Sequence, residues 1–593
     1  MSIETRANLE KVREEMDRVG VDAVIIPGTD PHHSEYISGH WKVRDWVSGF
    51  TGSNGTAVVL QHDAGLWTDS RYFLQAGIQL AESGFSLHKE RIPGEATITE
   101  WIAQELPDGG VIGIDGRLFS VMEVNAIENF CAQNGMQLVT DFDIADRVWD
   151  ERPERPQAPI KIMAEEFAGE SAESKLQRTM ERVEAAGADA LFVPSLDDIA
   201  WVLNLRGNDV LRTPVFISFL YLSEKENVLF VDSAKVSGEV ADYLKKIGVK
   251  VKEYDDVREY LTDLKPHTSV MVDANTMSDT LAYAIPGEKI YQASPIAALK
   301  GCKNEVELNG FRACHVRDGV ALVRTFKWIE ETLGKQEITE CDVADHAIEE
   351  RGKMERYADE SFDMIAGYKS NGAIVHYTPQ RGEDATLAAD GLLLVDTGGQ
   401  YLDGTTDITR TVSLGNPTPA EIHDYTLVLK GTLALSRAIF PAGTRGTQLD
   451  VLARQFMWKE GVNYLHGTGH GVGHFLSVHE GPHSIRMNEN PVTLKLGMVT
   501  SDEPGIYRAG EYGIRVENLL ATVPAMESEE YGEFMKFETL TMFPYDLKLI
   551  DRTMLQAEEV AQINEYHALV RSKLNPYLSA DEQAWLAEKT KEL

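Results

Sequence analysis

"GLLLVDTGGQYLDGTTDITRTVSLG" (residues 391–415) joins an apolar run that ends on Asp396 to a β-rich run that begins just after Asp407. Between the two acids lie Gly398, Gly399, Asp403 and Gly404, a density of turn formers that predicts a hairpin folded near residue 401. Such a hairpin sets Asp396 and Asp407 roughly opposite each other. Facing carboxylates on paired strands repel, so the arrangement is costly unless a cation lies between them.

The pattern recurs in "SDEPGIYRAGEYGIRVENLLA" (501–521). Glu503 precedes Pro504 and Gly505, Glu517 lies in an alternating run, and the midpoint of the two acids is Gly510, again a hairpin geometry. Between these segments stands "HGTGHGVGHF" (466–475), with His466, His470 and His474 four apart. The spacing suggests one face of a helix, but each interior glycine costs a helix roughly 1 kcal/mol, and four at alternate positions rule it out. The segment reads instead as an irregular loop or strand end whose glycines let the backbone approach a ligand or take positive φ, with one or two histidines projecting into a site. Asp396, Asp407, His470, Glu503 and Glu517 together supply four carboxylates and one imidazole, an oxygen-rich set able to bridge two divalent ions. Manganese, cobalt or iron suit it better than a Cys/His zinc site would. Taken singly, each acid has an ordinary reading as a turn former, a solvated loop acid or a surface acid on a strand. Their joint occurrence in two hairpins is what carries the argument.

At 593 residues the chain is too long for one core, and about 150 residues per domain suggests three or four domains. Its 43% apolar and 25% charged residues are ordinary for a globular protein. A net charge of -37 repels phosphate, which argues against nucleic acid and anionic membranes as partners. Cys131, Cys302, Cys314 and Cys341 form no CxxC pair and are too sparse for a disulfide scaffold, so reduced thiols in a cytosol are expected. The N-terminal "MSIETRANLEKVREEMDRVG" is a charged amphipathic helix rather than a signal peptide, and runs such as "VFISFLYL" are too short to span a bilayer.

Two segments resemble each other. "KVREEMDRVGVDAVIIPG" (11–28) and "KLQRTMERVEAAGADALFVPS" (175–195) each give a charged helix, Gly-x-Asp-Ala or Gly-Ala-Asp-Ala, and a short apolar strand ending at Pro27 or Pro194. Two related α/β domains in tandem follow, with "ERPERPQAPIKIM" as a stiff linker and a first boundary near residue 155. A second boundary falls near 300, where Asn304 as N-cap and Glu307 open a helix carrying Val316, Val320, Val323 and Phe326 at helical spacing. The stretch after residue 546 reads as helices only.

"VDTGGQY", "TTDITRT", "HGTGHGVGHF", "VHEGP", "DEPGIY" and "GIRVEN" resemble the signature of the pita-bread (creatinase/aminopeptidase P/prolidase) metallopeptidases, and specifically of the large three-domain Xaa-Pro aminopeptidases. "VSGFTGSNGTAVVL", "WTDSRYFLQAG" and "LDDIAWVLNLRGNDV" extend the resemblance over essentially the whole chain. It implies an α/β and α+β architecture: creatinase-like domains over 1–155 and 156–300, a pita-bread catalytic domain over 301–545, and its helical C-terminal extension over 546–593. It also implies that Asp396, Asp407, His470, Glu503 and Glu517 ligate two divalent ions, with Asp407 and Glu517 bridging. Manganese is the first choice and cobalt or zinc the alternatives, and a bridging hydroxide is the nucleophile. His376 in "NGAIVHYTP", His466 and His479 are implied to contact the peptide or shuttle protons, while His474 matches no functional position. Arg515 becomes the partner of a ligand carboxylate and Tyr507 a lining residue.

The expected function is that of a cytoplasmic aminopeptidase, expected to be a homodimer, that releases the first residue from peptides with proline at the second position. An Xaa-Pro dipeptidase and a metal-free pita-bread binding module are the alternatives. Leu496 departs from the family's Lys-Pro-Gly-Met turn, and His32 and His33 read as ordinary loop residues.

Overall fold

In the computed structural model, which describes residues 2–107 and 109–593, the two related segments both fold as helix and then strand. Ser2–Val19 buries Leu9, Val12 and Met16 ahead of the strand Ala23–Pro27, and Ala172–Ala185 buries Leu176 and Val183 ahead of Ala190–Val193. Each strand is fully or nearly fully buried, which is what an uninterrupted apolar run predicts for the middle of a sheet.

Each founds a six-stranded sheet of the same design. Ala23–Pro27 pairs antiparallel with Thr56–Leu60 and parallel with Val111–Gly113. Ala190–Val193 pairs antiparallel with Ser218–Ser223 and parallel with Val270–Val272. The remaining strands follow in the same order on both sides, so the tandem repeat extends beyond the matching stretches to the whole topology.

The chain separates into two compact units, Met1–Ala164 with Glu170–Ala297 and Glu165–Gly169 with Ala298–Leu593, so both α/β sheets lie in the first. The proline-rich segment is fastened along its length: Arg155 pairs with Asp255 at 2.7 Å, and the Ile160 amide donates to the Lys235 carbonyl. The structure changes the reading of His32. His32 is buried, with Nδ1 2.8 Å from the Pro194 carbonyl oxygen and Nε2 3.0 Å from the Tyr254 hydroxyl. Burial holds its imidazole down at about 3, so within its turn it is a neutral, buried staple and not an ordinary loop residue.

In the second unit the helix foreseen after Asn304 runs over Glu305–Thr332, with the Asn304 side chain accepting from the Val306 and Glu307 amides. Val320, Val323 and Phe326 enter one extensive hydrophobic core, and Val316 packs at its edge. The strands Ile365–Tyr368, Leu392–Thr397 and Ile408–Ser413 form one sheet. A six-stranded sheet includes Gly469–Gly471, Val499–Asp502 and Asn518–Ser528. The C-terminal stretch is helical, and Ala557–Leu574 sends Val560, Ile563, Val570 and Leu574 into the same core. Among the described residues no helix is long and apolar enough to cross a membrane.

Candidate metal centre

Both acidic pairs are brought together, one by the predicted geometry and one by a variant of it. Leu392–Thr397 and Ile408–Ser413 pair antiparallel with Asp396 opposite Thr409, which leaves Asp407 one residue outside the ladder on the same side of the turn. The reversal is not a simple hairpin. Gly399–Tyr401 and Gly404–Thr405 leave to form a small hairpin of their own, anchored by Asp403 on Arg317 and Arg356. Glu503 and Glu517 follow the expected symmetry closely: Gly505 pairs with Arg515 and Arg508 with Tyr512 around Gly510, which takes φ 79° in the turn. The same register continues where Asp502 faces Asn518, so Glu503 and Glu517 face each other at the junction of two sheets.

His470 is the middle residue of Gly469–Gly471, a strand end and not a helix. The glycines around it serve packing. A Cβ at Gly469 would lie 1.9 Å from the Ser501 carbonyl oxygen and one at Gly471 2.2 Å from that of Glu480, whereas neither residue has positive φ. The close approach at these two glycines is to the neighbouring strands.

Asp407, His470 and Glu517 offer donor atoms that all lie within 4.8 Å of one another. His470 Nε2 is 3.4 Å from Asp407 Oδ2 and 3.5 Å from Glu503 Oε1, while its Nδ1 donates to the Gly471 carbonyl at 2.9 Å. With Nδ1 so engaged, Nε2 is the nitrogen that faces the carboxylates. Asp396 accepts from Arg515 Nη2 at 2.6 Å through Oδ2, and its Oδ1, like Asp407 Oδ1, is buried with no hydrogen-bond partner among the described residues.

The electrostatics point the same way. Burial, against the pull of Arg515 and with the push of Asp407, raises Asp396 to about 6. Burial also raises Glu503 to about 7, and burial with Asp407, Asp396 and Glu503 nearby holds Glu517 well above the carboxylate range. Burial alone would lower His470, yet Asp407 and Glu503 raise it to about 9. Three buried acids and the half-buried Glu503 share one arginine and one imidazole, a deficit of positive charge that divalent cations would fill. The oxygen-rich donor set fits them.

The other predicted residues surround this cluster. Arg515 lies beneath it, donating to Asp396, to the Tyr507 hydroxyl at 2.7 Å and to Thr409 Oγ1 at 3.1 Å. Tyr507 in turn meets His466 Nε2 at 2.8 Å, so His466 joins the site through Tyr507 and Arg515. The His479 ring stands edge-on to His470 with centroids 4.3 Å apart. His376 is half-buried, directly after Val375, whose carbonyl accepts from Arg515. His474 is buried against Phe311.

Sequence reasoning missed Thr409, whose hydroxyl donates to Glu517 Oε2 at 2.8 Å, and Ser501, which bonds both the His470 amide and Glu503 Oε1. It also missed Glu480, buried between Lys300 and Lys303. Thr409 and Ser501 sit two residues from predicted ligands on the same strand face, a signal that period-2 reading could have used.

Comparison with known proteins agrees with this geometry. The profile of metallopeptidase family M24 matches residues 309–523, and that of the C-terminal region of this peptidase matches 533–593. Two creatinase/prolidase N-terminal domain profiles match 8–143 and 151–307. The chain is 41% identical to a probable Xaa-Pro aminopeptidase P of Botryotinia fuckeliana, over 99% of this chain and 92% of the relative. It is 40% identical to aminopeptidase P2 of Arabidopsis thaliana, over 97% and 86%. Among solved structures, the X-prolyl aminopeptidase of Caenorhabditis elegans, described as a cytosolic enzyme with a di-nuclear active site, superposes with a TM-score of 0.96 at 34% identity over 100% of both chains.

Proposed function

We propose, since the chain belongs to metallopeptidase family M24 and within it to the Xaa-Pro aminopeptidases, that this metal-dependent aminopeptidase removes the first residue from peptides whose second residue is proline. The observation that carries the reading is the cluster of three buried carboxylates with the half-buried Glu503 and His470, short of positive charge and with two carboxylate oxygens lacking partners among the described residues. Asp396, Asp407, His470, Glu503 and Glu517 would hold two divalent ions, manganese first and cobalt or zinc as alternatives. Bound there, the ions would supply Lewis-acid polarisation of the scissile carbonyl and a water of lowered pKa.

The chain's own residues do the rest. Arg515 fixes one oxygen of Asp396 and leaves the other to face the site, and Thr409 does the same for Glu517. Ser501 ties the His470 backbone to Glu503, so two ligands move as one body. His479 and His376 are the peptide contacts, placed to bind the carbonyl or pass a proton, while His466 holds Tyr507 on Arg515. Proline gives a tertiary amide with no N–H, so its recognition cannot use the backbone donor that most peptidases read and needs a shaped pocket.

Domains over 1–155, 156–300 and 301–545 with an extension over 546–593, a homodimer and a cytoplasmic location complete the reading. A calorimetric titration of the chelator-stripped protein with manganese tests the site. Two ions per chain, with His470→Ala losing metal and activity, is the expected result; a His470→Ala variant with full metal content and full activity would overturn it.

A further inference from the structure

The C-terminal extension has no residue in the donor cluster, yet one of its side chains is two hydrogen bonds from a proposed ligand. Arg410, on the strand Ile408–Ser413, is buried at 1% exposure. Its guanidinium donates to the Glu517 carbonyl at 2.5 Å, to Asn518 Oδ1 at 2.8 Å, to the Phe543 carbonyl at 2.7 Å and to the Tyr566 hydroxyl at 3.1 Å. Tyr566 lies on the helix Ala557–Leu574, and its hydroxyl also bonds the Phe543 carbonyl at 3.0 Å. Beside Arg410, Thr409 accepts from the Glu517 amide at 3.0 Å through its carbonyl and donates to Glu517 Oε2 at 2.8 Å.

From this we infer that Tyr566 and Arg410 are positioning residues through which the C-terminal extension sets the Glu517 carboxylate for metal binding; the inference rests on the reading of Glu517 as a ligand. The physical case is one of stiffness. A planar guanidinium whose donors are all engaged has one orientation, and here that orientation is shared between the backbone of Glu517, the side chain next to it and a hydroxyl delivered by the extension helix. Arg410 keeps the Pro544, Thr409, Glu517, Asn518 and Phe543 acceptors when the hydroxyl is removed, but the Thr541 and Phe543 carbonyls lose the brace that the extension gives them, so Phe543 can shift and draw Arg410 and the Glu517 backbone with it. Partners that bond a metal ligand directly usually change affinity or activity by about 10- to 100-fold when lost, so Tyr566, one bond further out, is expected at the low end of that range.

The test uses the full-length chain as Tyr566→Phe and, separately, Arg410→Lys, each stripped with chelator and titrated with manganese alone, followed by kcat and KM on an Xaa-Pro tripeptide. The expected result for Tyr566→Phe is manganese affinity lowered about tenfold and kcat lowered about tenfold with KM unchanged, and for Arg410→Lys a larger loss in the same direction. The inference is overturned if both variants bind manganese as tightly as the parent and keep its kcat while melting at lower temperature, because the helix then only braces the fold. The metal titration needs no substrate. A parent chain that binds manganese but spares Xaa-Pro peptides would defeat the substrate reading while the titration still decides the role of Tyr566.

Discussion

Alanine at Gly469 disturbs the site while leaving every donor atom in place. The new Cβ would sit 1.9 Å from the Ser501 carbonyl oxygen, about 1.5 Å inside ordinary contact, and the obstacle is backbone rather than a side chain that could swing away. Gly469–Gly471 and Val499–Asp502 must therefore part. Ser501 bonds the His470 amide at 3.0 Å and Glu503 at 3.2 Å, so the separation falls on two proposed ligands at once. A misplacement of about 1 Å costs on the order of 100-fold in rate, and forced overpacking costs about 1–3 kcal/mol of stability. Gly467→Ala is the control: the nearest atom to its Cβ is 3.7 Å away, and its kcat/KM should stay within about twofold of the parent. The assay is kcat/KM on an Xaa-Pro tripeptide at saturating manganese, beside a thermal melt. Wild-type kcat/KM in Gly469→Ala would refute the packing argument.

Further expectations concern residues outside the donor set. Arg515→Met strips Asp396, Tyr507 and Thr409 of one shared partner and should lower kcat by about 100-fold, and Arg515→Lys should not restore it because a single ammonium cannot span three acceptors; a fully active lysine variant would contradict this. Burial raises the thiols of Cys131, Cys314 and Cys341, the last to about 12, so a thiol reagent should label Cys302 first in the native protein and all four only after denaturation. Mass mapping of the labelled peptides decides it. His567 is fully buried, accepts from the Tyr545 amide at 3.1 Å and is held at about 3 by burial. The unfolded chain takes up that proton below about pH 6.5 and the native chain does not, so this stability is complete above that pH and is lost as pH falls, about 2 kcal/mol by pH 5. His567→Gln should lose about 2 kcal/mol less than the parent between pH 7 and pH 5 in urea unfolding, and equal losses would contradict the assignment.

Much of the site could be read from short-range order. Glu503 and Glu517 lie symmetrically about Gly510, and a hairpin register is a local property that turn residues dictate, so their meeting was legible. The Asn304 cap and the repeated helix and strand before Pro27 and Pro194 are likewise local patterns. What spacing cannot carry is contact between distant segments. Thr409 reaches Glu517 across 108 positions and Arg410 reaches Tyr566 across 156, and no periodicity links them. His32 was misread for the same reason, because its partners Pro194 and Tyr254 come from the other half of the first unit. The glycines of the histidine segment mark close approach, and composition alone does not name what is approached.

Metal dependence and selectivity for a prolyl bond can be tested together. The direct measurement strips the purified chain with chelator, restores manganese, cobalt or zinc, and follows release of the N-terminal residue from Arg-Pro-Pro beside Arg-Ala-Pro. Cleavage of Arg-Pro-Pro alone, restored by metal, is the predicted result. No cleavage with any metal, or equal cleavage of both peptides, would contradict it.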